Sequence, residues 1–194
     1  MGASMDETGG FELPFGEGEM SHVIRADEVP PSGKNVKLSA DAATLEALAA
    51  RFSVEEVADL SAHILLTPLD KNCLSVTGEM RGRVRQICGV TLEPVWTEIE
   101  RRIEAEFQPA EMAAAFIEPE DDMDAEAPEA MQNGEADIGE WVTQLFAMEV
   151  PSYPRAPDAA FDGYGQSTQE IEAEDKKPSP FAALAALKGD ADKT

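Results

Sequence analysis

The run Leu74-Ser75-Val76-Thr77-Gly78-Glu79-Met80-Arg81-Gly82-Arg83-Val84-Arg85-Gln86-Ile87-Cys88 decides the fold class, because its apolar residues recur with a period of two. Leu74, Val76, Met80, Val84 and Cys88 share one face; Thr77, Glu79, Arg81, Arg83 and Arg85 share the other. That is the pattern of a strand with one side on a core and the other in water. Upstream, residues 57–67 alternate in their second half, with Leu60, Ala62, Ile64 and Leu66 opposed to Ser61, His63, Leu65 and Thr67. Pro68, Asp70 and Asn72 supply turn chemistry between the two runs, so they are expected to pair as an antiparallel hairpin.

Working outward, residues 20–26 and 35–39 read as short strands separated by the turn Pro30-Pro31-Ser32-Gly33. A helix is expected over residues 42–52, where Leu45, Leu48, Ala49 and Phe52 recur at helical spacing and Ser39 or Asp41 can cap the first turn. Residues 95–107 are ambiguous: Val95, Ile99, Ile103 and Phe107 are spaced by four and fit a helix face or one strand face. Thr97 and Ala105 complete the strand pattern and Arg101 interrupts it; the strand reading is adopted. A second helix is expected over residues 138–148, with Asp137 as N-cap and Val150-Pro151 ending it.

The chain has 194 residues, 15 Lys+Arg and 39 Asp+Glu, a formal net charge of −24. A field of that sign opposes indiscriminate attraction to nucleic acid or anionic lipid, so an RNA contact would have to be local. The acid is uneven: residues 1–108 carry a net −9 and residues 109–194 a net −15. Between Glu111 and Glu140 there is no Lys or Arg, and Pro119, Pro128 and Gly134 interrupt any periodicity. Such a stretch reads as an acidic linker, about residues 109–136, that cannot bury enough apolar surface to offset its ordering entropy.

The expected architecture is a single α+β domain over residues 18–157, an antiparallel sheet with two or more covering helices and that acidic flexible insertion. A flexible N-terminus (1–17) precedes it and a disordered C-terminal tail (158–194) follows. Within the tail, Ser179-Pro180 reads as N-cap and N1, Phe181, Leu184 and Leu187 form a stripe, and Gly189 stops a short helix over residues 180–188. Its apolar stripe would dock on its own domain or on a partner. No run of 18 or more apolar residues occurs and the N-terminus lacks a basic segment and an apolar stretch, so neither a membrane span nor classical secretion is expected. A cytoplasmic location is the default.

Three guanidinium groups at Arg81, Arg83 and Arg85 would stand about 6.6 Å apart along one strand face and could follow a phosphate backbone. Equally, they could pair with Glu79, Glu98, Glu100 or Glu104 of the neighbouring strand. No aromatic is interleaved among them in the sequence, which weakens the single-stranded RNA reading. Cys73 and Cys88 are the only cysteines and His22 and His63 the only histidines. That supply is poor for a zinc site and gives no disulfide framework. Cys88, at the end of an apolar face, reads as a small core residue. No nucleophile elbow, zincin motif or phosphate-binding glycine loop occurs, so no catalytic residues, cofactor, metal or small-molecule substrate is expected.

Three stretches carry a family resemblance. Arg85-Gln86-Ile87-Cys88-Gly89-Val90-Thr91-Leu92-Glu93-Pro94-Val95 resembles the central signature of the bacterial large ribosomal RNA subunit accumulation protein family (YceD-like), in its alphaproteobacterial form. Ala136-Asp137-Ile138-Gly139-Glu140 through Met148, then Pro151-Ser152-Tyr153-Pro154-Arg155-Ala156-Pro157, resembles the second block, and residues 179–188 resemble the C-terminal motif. The resemblance implies a small non-enzymatic protein that supports accumulation of large-subunit ribosomal RNA, with rRNA or a large-subunit ribosomal protein as partner. Two mechanisms stay open: an RNA contact through Arg81, Arg83 and Arg85, or an acidic carrier that holds a basic ribosomal protein. A thiol-dependent activity at Cys88 is a third reading. Many members carry C-x-x-C at the central block, which implies metal or nucleic-acid binding. Here Thr91 stands in the second position, which puts the metal in doubt.

Overall fold

The computed structural model describes residues 15–116 and 127–160. Met1–Pro157 and Asp158–Thr194 form separate units, and every element below belongs to the first. In chain order these are β1 (Val23–Arg25), β2 (Lys34–Ser39), α1 (Ala42–Phe52), β3 (Glu56–Pro68), β4 (Leu74–Ile87), β5 (Pro94–Pro109), α2 (Ala110–Ala113), β6 (Glu129–Met131), β7 (Glu135–Asp137) and α3 (Ile138–Glu149). The main sheet runs β2-β3-β4-β5-β6 and is antiparallel except for β6, which joins β5 parallel through Phe107–Pro109.

The long hairpin forms as its alternation demands. Leu60, Ala62, Ile64 and Leu66 of β3 and Leu74, Val76, Met80 and Val84 of β4 are buried, and their registers place the two rows on one side of the sheet. On that side lie α1 and α3, joined by the tilted pair Phe52 and Phe146 with ring centroids 6.0 Å apart. Asp41 caps α1 by accepting from the Thr44 N–H at 2.8 Å. Arg51, on the last turn of α1, reaches Glu140 of α3 at 2.5 Å and Glu19 at 2.7 Å; the Glu140 hydrogen bond leads in holding its guanidinium above the ordinary value.

Residues 95–107 resolve as strand, with Ile99, Ile103 and Phe107 buried on the helix side. Arg101 sits on that same side, where its guanidinium pairs with Glu149 at the end of α3. That ion pair satisfies the charge at the helix terminus, so the break in the apolar pattern does not break the strand.

Several bounds differ from those read in the sequence. The strand expected over residues 20–26 is only Val23–Arg25, continues into a single 3-10 turn at Ala26–Glu28, and pairs with β7 rather than the main sheet. The strand expected over residues 35–39 begins at Lys34 as β2, and the helix expected over residues 138–148 extends to Glu149 as α3. The range expected to be an acidic linker carries structure at both ends: β5 runs to Pro109, α2 follows, and β6 and β7 occupy its far end. Composition hid this because the burial there comes from single residues, Met131 and Ala136, each 1% exposed, among acidic neighbours. Residues 117–126 of that range, 1–14 of the N-terminus, and residues 161–194 including the 180–188 helix lie outside the described residues.

The second sequence block has a structural explanation. Asp137 caps α3 by accepting from the Glu140 N–H at 3.1 Å, and the same carboxylate takes the His22 N–H at 2.8 Å and the Ser21 hydroxyl at 2.6 Å. Ile138 behind it is fully buried. A Cβ at Gly139 would collide with the Met20 carbonyl oxygen, so only glycine lets the N-terminal segment cross the helix there.

Candidate nucleic-acid interface

Arg81, Arg83 and Arg85 all project from the outer, helix-free face of β4. Each is flanked by register partners on both sides: Ser61 and Glu100 for Arg81, Asp59 and Glu98 for Arg83, Glu56 and Trp96 for Arg85. The ladder is therefore mixed in charge. Arg81 pairs with Glu100 at 3.1 Å and Glu79 at 3.5 Å, and Arg85 with Glu56 at 3.1 Å. Arg83 makes no ion pair among the described residues; its guanidinium stacks over Trp96, 4.6 Å from the ring centroid, with Arg85 5.6 Å from the same ring. Exposed pairs of this kind are worth about 0–1 kcal/mol each, so an incoming phosphate competes with them on nearly equal terms.

Trp96 is the residue that reading along the strand missed. The aromatic absent from β4 is supplied laterally by β5, because the antiparallel register sets Trp96 directly opposite Arg85. It is 42% exposed, which leaves ring surface open beside two guanidinium groups. The usable signal was the pairing rule itself: a tight turn between Cys88 and Pro94 dictates that partner.

At the end of the hairpin, residues 88–93 form a turn closed by Cys88 N–H to the Glu93 carbonyl at 2.8 Å and Leu92 N–H to the Cys88 carbonyl at 3.0 Å. Leu92 takes a left-handed φ of 60° and is 75% exposed, a conformation that costs a branched residue about 1 kcal/mol or more. Glu93 is exposed and Pro94 begins β5. The Tyr153-Pro154-Arg155 segment docks on this turn. Gly89 N–H donates to the Pro154 carbonyl at 3.0 Å, and the Gln86 side chain donates to the Pro151 carbonyl at 2.9 Å. Tyr153 is left 88% exposed.

Cys88 is the pin of that junction. Its Sγ is fully buried and accepts from the N–H groups of Val90 at 3.4 Å, Thr91 at 3.4 Å and Ala156 at 3.3 Å. The Thr91 hydroxyl, with the Thr91, Ala156 and Val90 N–H groups, lowers the thiol to about 6, against slight opposition from desolvation. Thr91 thus stands as a donor to the sulfur. The residues present do not fit a metal. Backbone donors occupy the sulfur, and no cluster of three His, Cys, Asp or Glu side chains occurs among the described residues. Cys73, by contrast, is a buried thiol pushed up by desolvation and lies at the opposite end of β4.

The structure therefore gathers Arg85, Cys88, Thr91, Leu92, Glu93, Pro94, Tyr153, Pro154 and Arg155 at one end of the sheet, with Arg81 and Arg83 along the adjoining outer face. Asp137 and Ile138 stand apart from it and serve the N-terminus of α3. No helix among the described residues is long and apolar enough to cross a membrane.

No curated protein and no solved structure matches the chain. The family model described as Large ribosomal RNA subunit accumulation protein YceD matches residues 76–188, which begins in β4 and takes in the hairpin turn, α3 and the Tyr153-Pro154-Arg155 segment. That match spans more than half of the sequence, and the chain belongs to the large ribosomal RNA subunit accumulation protein (YceD) family.

Proposed function

We propose that this protein supports accumulation of the large-subunit ribosomal RNA by binding it without turnover, through the outer face of β4 and β5 at the hairpin end. The observation that carries the reading is Trp96 flanked by Arg83 and Arg85: an exposed ring on which a base can stack, beside guanidinium groups that can hold its phosphates. Local basic and aromatic surface on an otherwise acidic body favours a contact fitted to a particular RNA segment over general polyanion binding. A thiol-dependent activity is disfavoured by the full burial of Cys88, whose sulfur has no path to a substrate. Its role is to hold the Pro151–Pro157 strap against the turn. Replacing Arg81, Arg83 and Arg85 by Glu is expected to abolish association with large-subunit rRNA precursors in sedimented lysates. Undiminished association of the folded variant removes the proposal.

A further inference from the structure

β4 binds one edge of β5 along its length, but among the described residues the other edge carries only β6, and only at Phe107–Pro109. The hydrogen-bonding phase follows from the turn. Cys88 donates to Glu93, so in the alternating antiparallel ladder the odd-numbered residues of β5 bond β4 and the even-numbered ones turn their N–H and C=O groups to the far edge. Pro94, which lacks an N–H, falls on an even position, as a proline at a strand edge should. Glu98, Glu100, Arg102 and Glu104 thus present backbone groups that no described strand takes up, and β6 begins to pair where Glu106 follows.

A groove of about 820 Å³ runs beside this edge, lined by the consecutive residues Arg101–Glu106 and, on the helix side, by Trp141, Leu145 and Met148 of α3. Met148 is 74% exposed. A strand added here, about 4.8 Å from β5, would turn alternate side chains toward Trp141, Leu145 and Met148 beside the Arg101–Glu149 pair, and the others outward, next to the row Glu98, Glu100, Glu104 and Glu106.

We propose that this edge of β5, unpaired among the described residues, receives an extended segment of a basic protein, one alternating apolar and Lys/Arg residues. Charge selects this occupant over a second copy of the chain. Antiparallel self-pairing centred anywhere from Ile99 to Ile103 sets at least one Glu directly against a Glu, such as Glu98 against Glu104 or Glu100 against itself. A basic strand meets a carboxylate at nearly every outward position. The backbone edge of β5 lies beside the Arg83, Arg85 and Trp96 face, which includes the register partner Glu98, but its hydrogen bonds do not depend on those side chains, so the docking can hold while the RNA reading fails.

The test uses the full chain and a fluorescent peptide of about ten residues alternating Val and Lys, compared with a peptide of the same composition in two blocks. The alternating peptide is expected to bind and to slow amide exchange at the even positions from Glu98 to Glu104. Glu104→Pro, whose N–H faces the groove and not β4, should weaken it about tenfold or more. Changing Glu98, Glu104 and Glu106 together to Lys should do the same without touching the backbone, while Arg81→Ala with Arg83→Ala, which frees Glu100 from its ion pair, does not weaken peptide binding. Equal binding of the block peptide, protection elsewhere, or full affinity in both edge variants overturns the proposal. So does protection of the same amides in a peptide-free dimer, or by an RNA fragment alone.

Discussion

Arg83→Ala and the triple change of Arg81, Arg83 and Arg85 to Ala make opposite demands on a structural and an RNA-binding role. Each guanidinium that neutralises a phosphate of single-stranded nucleic acid contributes about 0.7 to the slope of log affinity against log salt. Arg83, stacked on Trp96 at 4.6 Å, can turn to a phosphate without breaking an ion pair, so its loss should flatten the slope by about 0.7. The triple variant should flatten it by about 2. Stability suffers little: the Arg81–Glu100 and Arg85–Glu56 pairs, both 3.1 Å and exposed, and the stacking together amount to about 1–3 kcal/mol. The assay is a titration of labelled large-subunit rRNA fragments at about 50 to 200 mM salt, with circular dichroism as the check on folding. Arg83→Lys separates the two contributions, since it keeps the charge and the slope but loses the flat stacking surface and so some affinity. A folded triple variant with the parent's salt slope refutes the reasoning.

Gly82 lies on the helix-facing side of β4, where a Cβ would sit 2.5 Å from the Phe146 ring and 2.6 Å from the Asp59 carbonyl oxygen. Gly82→Ala should cost about 1–3 kcal/mol in urea unfolding, and a cost below about 0.5 kcal/mol would mean that α3 does not press on the sheet there. Asp137→Ala removes the cap of α3 and the anchors of Ser21 and His22 together, for an expected loss of about 1–3 kcal/mol; a loss below about 0.5 kcal/mol would show that the cap and anchors contribute nothing. The Cys88 thiol should titrate near 6 in thiolate absorbance measured against Cys88→Ala. Because folding depresses this pKa below the ordinary thiol value of 9.0, its stabilisation is fully present above about 9, declines as pH falls, and is gone below about 6. A midpoint above 8 would contradict the four-donor setting of the sulfur.

The amino-acid sequence by itself determined the hairpin, the strand character of both long runs, α1 and its cap, and α3 with Asp137 as N-cap. These follow from side-chain periodicity and local hydrogen bonding, which act within a few residues. It also placed the three arginines on one face. Only the tertiary structure decided what those arginines meet. Carboxylates occupy two of them and Trp96 the third, because lateral neighbours in a sheet come from residues far along the chain. The same holds for Cys88, whose sulfur is pinned by Ala156, and for Met131 and Ala136, buried inside a stretch that composition alone assigns to solvent. The edge of β5 was equally out of reach: whether a strand is central or at an edge depends on which partners the fold brings to it, and alternation reads the same in either case.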